Sequence, residues 1–167
     1  MTLIRNARSY DATALAALGT ELGYPATREQ IGKRLAAIEA AGAAVLVAED
    51  DHGMVCGWIH VACCAELTGQ DAAEIHCLVV AADARGAGLG SALIERAGTW
   101  ARERGCTQLR VRSRVEREDA HRFYLREGFT RRKTQAVFER ALPGEAIVAA
   151  TGSTLRVDPQ FARDLRG

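Results

Sequence analysis

The sequence predicts an α/β fold built on a mixed, mostly antiparallel sheet flanked by helices. Three observations carry this. Strand-like runs follow one another across short polar turns at residues 50–53 and 66–71, as antiparallel strands do. A strand-like run, a glycine-rich turn and an amphipathic helix succeed each other over residues 72–104, a crossover that delivers the chain to a parallel neighbour. The chain is 167 residues long, 48% hydrophobic and 26% charged, enough for one domain with its own core.

Taken in order, Leu3–Arg8 reads as the first strand. From Asp11 a helical pattern sets Ala14, Leu15, Leu18 and Leu22 on one face and stops near Gly23-Tyr24-Pro25. Thr27, with Gln30 three residues on, is a capping box. The helix it opens carries Ile31, Leu35 and Ile38 and ends near Gly42. Ala43–Glu49 and Met54–Ala65 are hairpin strands about the turn Asp50-Asp51-His52-Gly53. A strand over 72–80, a helix to about Arg104, a strand over 107–113 and a helix over 118–127 follow, with Gly105 and Gly128 as the glycines that stop the two helices. Phe129–Ala141 reads as a long strand, 142–145 as a turn and 146–150 as the last strand, with 158–167 a helical turn or tail. The expected division is a domain over 1–141 and a C-terminal extension over 142–167.

Composition narrows the function. The opening residues Met1-Thr2-Leu3-Ile4-Arg5 lack the basic-then-apolar pattern of a signal peptide, and no apolar run reaches the roughly twenty residues that cross a bilayer. Cysteines 56, 63, 64, 77 and 106 form no Cys-x-x-Cys pair and no matching histidine spacing. They read as reduced thiols of a cytoplasmic protein with no metal site. Net charge is +1, but arginines crowd residues 110–133. That stretch reads either as a solvated strand and helix face or as a basic surface for phosphates or nucleic acid. Its scarcity of aromatics disfavours the nucleic-acid reading.

Arg85-Gly86-Ala87-Gly88-Leu89-Gly90 lies between the strand 72–80 and a helix N-terminus. There, unpaired backbone N–H groups face outward, and the absence of Cβ atoms lets a phosphate come close. A dinucleotide fingerprint fails, because Ser91 stands at its third glycine and no acidic residue follows near 105–110. A P-loop fails for want of Gly-Lys-Ser or Gly-Lys-Thr. Arg85, Gly88 and Gly90 do fit Arg-x-x-Gly-x-Gly. Ala120, Phe123, Tyr124, Gly128 and Phe129 then fit Ala-x-x-Phe-Tyr-x-x-x-Gly-Phe. The pair of motifs resembles the acyl-CoA signatures of the GNAT N-acetyltransferase superfamily, strongly over residues 43–140 and more loosely over 1–42.

The resemblance implies a GNAT-like sheet with a splayed pair of central parallel strands. It also implies acetyl-CoA as co-substrate, with no metal. It assigns the pantetheine arm to Leu78, Val79 and Val80, and the pyrophosphate to Arg85, Gly86, Ala87, Gly88, Leu89 and Gly90. The Val80 N–H is the expected group to polarise the thioester carbonyl. Tyr124 is the expected general acid, protonated at neutral pH because a phenol's ordinary pKa is near 10. Glu74 and His76 share a strand face by alternation and are alternative general bases, beside a third option of water alone. Arg117 stands where many relatives carry an asparagine on the CoA arm, which leaves it to contact a phosphate or an acidic substrate group, or to point into solvent. Tyr24, in the segment joining the first two helices, is a candidate acceptor contact. The expected acceptor is a primary amine on a small molecule, attacked directly in a ternary complex. A protein N-terminus or lysine, or a non-catalytic acyl-CoA-binding module, is the alternative, and a homodimer is possible.

Overall fold

The computed structural model describes residues 2–65, 67, 69 and 71–141. The expected turn over 142–145, the strand over 146–150 and the tail over 158–167 lie outside the described residues. Among the described residues five strands pair in chain order: β1 (Leu3–Asn6), β2 (Ala44–Glu49), β3 (Val55–Cys64), β4 (Ala72–Val80) and β5 (Gln108–Val111). The first three junctions are antiparallel, and β4–β5 is parallel, as the crossover helix between them requires. The helices are α1 (Ala12–Glu21), α2 (Arg28–Ala40), α3 (Leu89–Arg102) and α4 (Glu118–Arg126). The chain divides into two units, the first ending at Arg132 and the second beginning at Lys133.

Alternation divides the sheet into two faces. Leu46, Ala48, Ile59, Val61, Ala73 and Ile75 meet Leu93, Ala97, Trp100 and Ala101 of α3 in one buried cluster. Val45, Val47 and Val79 are buried on the opposite face, where Ala12, Leu15 and Leu18 supply the apolar side of α1. Each of the helices α1, α2, α3 and α4 ends on a glycine with positive φ, at residues 23, 42, 105 and 128. At each, the residue after the glycine donates its N–H to the carbonyl five positions back, the Schellman arrangement.

Thr27 and Gln30 cap α2 reciprocally, as expected. β1 and α1 are joined by charge. The buried Asp11 carboxylate accepts two bonds from the Arg5 guanidinium (2.7 and 2.9 Å) and one from the Arg8 N–H (2.7 Å), and Arg5 also pairs with Glu49 on β2. These partners together hold the Asp11 carboxyl below its ordinary range, against the opposing effect of burial.

The strand expected over 129–141 does not form; these residues carry neither helix nor strand. A strand's register is pinned by alternating apolar residues. Here Thr130-Arg131-Arg132-Lys133-Thr134-Gln135 is polar throughout, with three adjacent cations.

Candidate active site

β4 contains the feature that shapes the site. His60 opposes Cys77 and Val61 opposes Ile75, so His76 is an extra residue, a β-bulge. The bulge reverses the alternation: Ala73 and Ile75 face the α3 cluster before it, Leu78 and Val80 after it. Pairing with β5 stops at the same place, with Ile75 opposite Val111 the last register pair. Beyond it, β4 keeps its bonds to β3 and, among the described residues, has no strand on its other side. The Ala81 N–H donates to Cys56 O on β3 (2.8 Å), so alternation turns the backbone groups of Val80 and Leu78 to the open side.

The glycine turn lies at the end of this open edge, after a short 3-10 turn at Ala82–Ala84. Gly86 (φ 83°) and Gly88 (φ 79°) adopt left-handed conformations that a side chain would strain. The first α3 bond runs from the Ala92 N–H to Gly88 O (3.0 Å), which leaves the N–H groups of Leu89, Gly90 and Ser91 without intrahelical partners. Gly88 offers no side-chain cap. Residues 85–88 are exposed, whereas the Leu89 side chain is buried and anchors the helix. The Arg85 Nε donates to Val80 O (3.2 Å), tying the turn to the strand before it.

Gly90 has a different reason to be glycine. An added Cβ would lie 2.9 Å from Cζ of Phe123 on α4. The Ser91 hydroxyl also donates to Glu127 (2.7 Å). The two sequence motifs therefore touch each other. At the end of α4, the Phe129 N–H donates to Tyr124 O (3.0 Å) and the Phe129 ring meets the Tyr124 ring edge-on at 5.5 Å. Phe123 packs against the other side of Tyr124 at 5.3 Å. Burial raises the Tyr124 pKa; the Arg117 charge opposes this and the nearby Cys77 adds to it. Tyr124, Cys77 and Arg117 thus share one electrostatic neighbourhood where β4 and β5 part.

Glu74 and His76 are both on the α1 face, with different surroundings. Glu74 is 7% exposed, and its carboxylate accepts a bond from Arg112 Nη2 (3.0 Å). His76 is exposed and stacks on His60, with ring centroids 4.7 Å apart. Burial, then repulsion by His76, pushes His60 down to about 4, so its ring is neutral at physiological pH. Tyr24 is exposed just after the glycine that ends α1. Sequence reasoning missed His60, Cys77 and Arg112 as members of the site. Alternation puts His60 on the α1 face, but the β3–β4 register that sets it beside His76 depends on pairing between two separate segments.

Residues 41–131 match the acetyltransferase (GNAT) domain model, which spans more than half of the chain. The protein belongs to the GNAT acetyltransferase family. It is 45% identical over 56 residues to an aminoalkylphosphonate N-acetyltransferase of Salmonella typhimurium, a match covering 34% of this chain and about a third (36%) of that protein. The fold is similar to an aminoglycoside 6'-N-acetyltransferase of Acinetobacter baumannii (TM-score 0.75, 16% identity, 85% of this chain and 99% of that one). It is also similar to a glucosamine-6-phosphate N-acetyltransferase of Arabidopsis thaliana (TM-score 0.70, 20% identity, 83% and 98%).

Gly90→Ala drives a methyl group into the Phe123 ring and lowers stability by about 1–3 kcal/mol. Gly98→Ala on the same helix meets nothing closer than 3.9 Å and is neutral or stabilising, so paired melting curves separate the contact from helix propensity. His60 gives a pH signature. Its folded pKa lies below the unfolded 6.5, so between pH 6.5 and about 4 the unfolded chain binds the proton more readily. Wild-type stability therefore falls as pH drops through that window, and His60→Gln shows a shallower fall in urea midpoints taken from pH 7 to 4.5.

Proposed function

We propose that the protein is an acetyl-CoA-dependent N-acetyltransferase that moves the acetyl group to a primary amine on a small molecule within a ternary complex. The observation that carries this is the open β4 edge ending in a glycine turn at a helix N-terminus. An extended arm and a pyrophosphate are the two chemistries such an edge and turn accommodate. The residues fit the group: Leu78 and Val80 have backbone groups on the open side for the pantetheine, and the N–H groups from Arg85 to Gly90 suit the phosphates. Acetyl-CoA supplies a thioester, and this chain's residues orient it and move protons. The Val80 N–H polarises the carbonyl oxygen as the amine nitrogen attacks its carbon. The carbon–sulfur bond breaks, and the Tyr124 hydroxyl, protonated across the neutral range, gives its proton to the leaving sulfur.

His76 is the better placed general base. It is exposed on the bulge, whereas the Glu74 carboxylate already holds Arg112. Arg117 acts beside Tyr124 and favours negative charge there. A small amine as acceptor follows the curated relative that acts on an aminoalkylphosphonate; Tyr24 rims its entry.

Calorimetric titration is expected to show acetyl-CoA and desulfo-CoA binding at micromolar strength and NADH not binding; no heat with either CoA compound would sink the reading. In an amine panel, Tyr124→Phe lowers kcat by about a hundredfold with little change in acetyl-CoA affinity. An unchanged kcat removes Tyr124 from the mechanism. For the base, His76→Ala displaces the acidic limb of the kcat/KM profile while Glu74→Gln leaves it in place, and the reverse pattern transfers the role to Glu74.

A further inference from the structure

We propose that Cys63 and Cys106 are a built redox pair that closes to a disulfide under peroxide. The reason is where the chain puts the two sulfurs. Cys63 ends the row Ile59, Val61, Cys63 that β3 turns toward α3, so it faces the core cluster at the margin of the sheet. Cys106 follows Gly105 at the end of α3. Its N–H is bonded to Ala101 O (3.1 Å), and the Thr107 N–H is bonded to Asp71 O (2.9 Å). Cys106 is thereby fixed from both sides against Trp100 and Ala101. The thiols meet at 3.3 Å, 43 residues apart in sequence. Forming the bond requires this contact to contract to the ~2.05 Å of a disulfide. Cys64 is next in sequence, but strand alternation sends its side chain to the other face. Cys56 bonds Ala48 O near the far end of β3, and Cys77 lies beside Tyr124.

The two sulfurs have unequal access, which sets the order of events. Cys63 is exposed and Cys106 buried. Burial and the neighbouring sulfur push the Cys106 thiol up to about 11, which leaves Cys63 as the first to meet oxidant. The Cys63 thiol gives up its proton and its sulfur attacks hydrogen peroxide; the O–O bond breaks, and a sulfenic acid and a hydroxide form, the hydroxide taking up that proton as one water. Cys106, giving up its proton, then attacks that sulfur and releases a second water. Two thiols and one peroxide thus become one disulfide and two waters. The bond would span the start of β4, joining the end of β3 to the residue that leads into β5. β4 and β5 are paired there over only four residues, so the oxidised protein has its closed end clamped.

The test uses the full chain, reduced, desalted and treated with hydrogen peroxide. Expected are the loss of two hydrogen masses, the loss of two of the five titratable thiols, a rise in Tm of about 5 °C, and reversal by dithiothreitol. Peptide mapping should find the link in wild type and C64S and lose it in C63S. C106S should also lose it, and C106A guards against a polar group left in the core. A link that survives in C63S, stepwise oxygen addition at Cys63 without a link, or no mass change would each overturn the pair. None of these readouts depends on acetyl transfer.

Discussion

One extra residue in β4 governs the site. A β-bulge leaves a residue without a partner and bends its strand, and here it falls at His76, where pairing with β5 also ends. Without it, β4 would keep one alternation along its length. Leu78 and Val80 would then leave the α3 cluster, and the parallel ladder could run on to the glycine turn. With it, two strands that begin as neighbours part. The edge so exposed has backbone groups that the sheet no longer satisfies. The extra residue, His76, lies against His60 of β3, with ring centroids 4.7 Å apart.

The glycine turn and the aromatic helix look like separate signatures in the sequence, but the fold makes them one object. Gly90 has no Cβ because the Phe123 ring occupies that space, and Ser91 reaches Glu127 across the same contact. At the other end of α4, the left-handed turn at Gly128 brings Phe129 back against Tyr124. Tyr124 is therefore held by rings on two sides and by the capping of its own helix. A side chain fixed in this way has little freedom left to lose, which suits the proton-donor role proposed for it.

The polar groups of the α1 face show how charge is distributed around that object. Arg112, just past the end of β5, neutralises Glu74 at the foot of the gap, and Arg122 lies beside Glu118 on α4 (4.0 Å). The arginines of 110–133 are thus partly engaged within the protein. At the far side of the sheet, Arg5, Asp11 and Glu49 bind the first strand to the turn that launches α1.

The sequence by itself determined the order and type of the elements that its periodicity, caps and turns encode. The capping box at Thr27, the glycine stops and β4 at 72–80 are where local rules put them. It also named both motifs, because turn glycines and helix-spaced aromatics are local marks. Tertiary structure alone decided what needed two distant segments. A bulge exists only relative to a partner strand, so neither the reversal of facing at His76 nor the end of the β4–β5 ladder could be read from β4 itself. The same holds for His60 beneath His76, Arg112 on Glu74, and the Phe123 ring on Gly90. Residues 129–141 make the converse point: a stretch that carries a polar run with three adjacent cations, and no apolar alternation there to fix a register, does not make a strand. Hydrogen bonds within a helix close over four residues, whereas those of a sheet depend on chain that may lie anywhere else in the sequence.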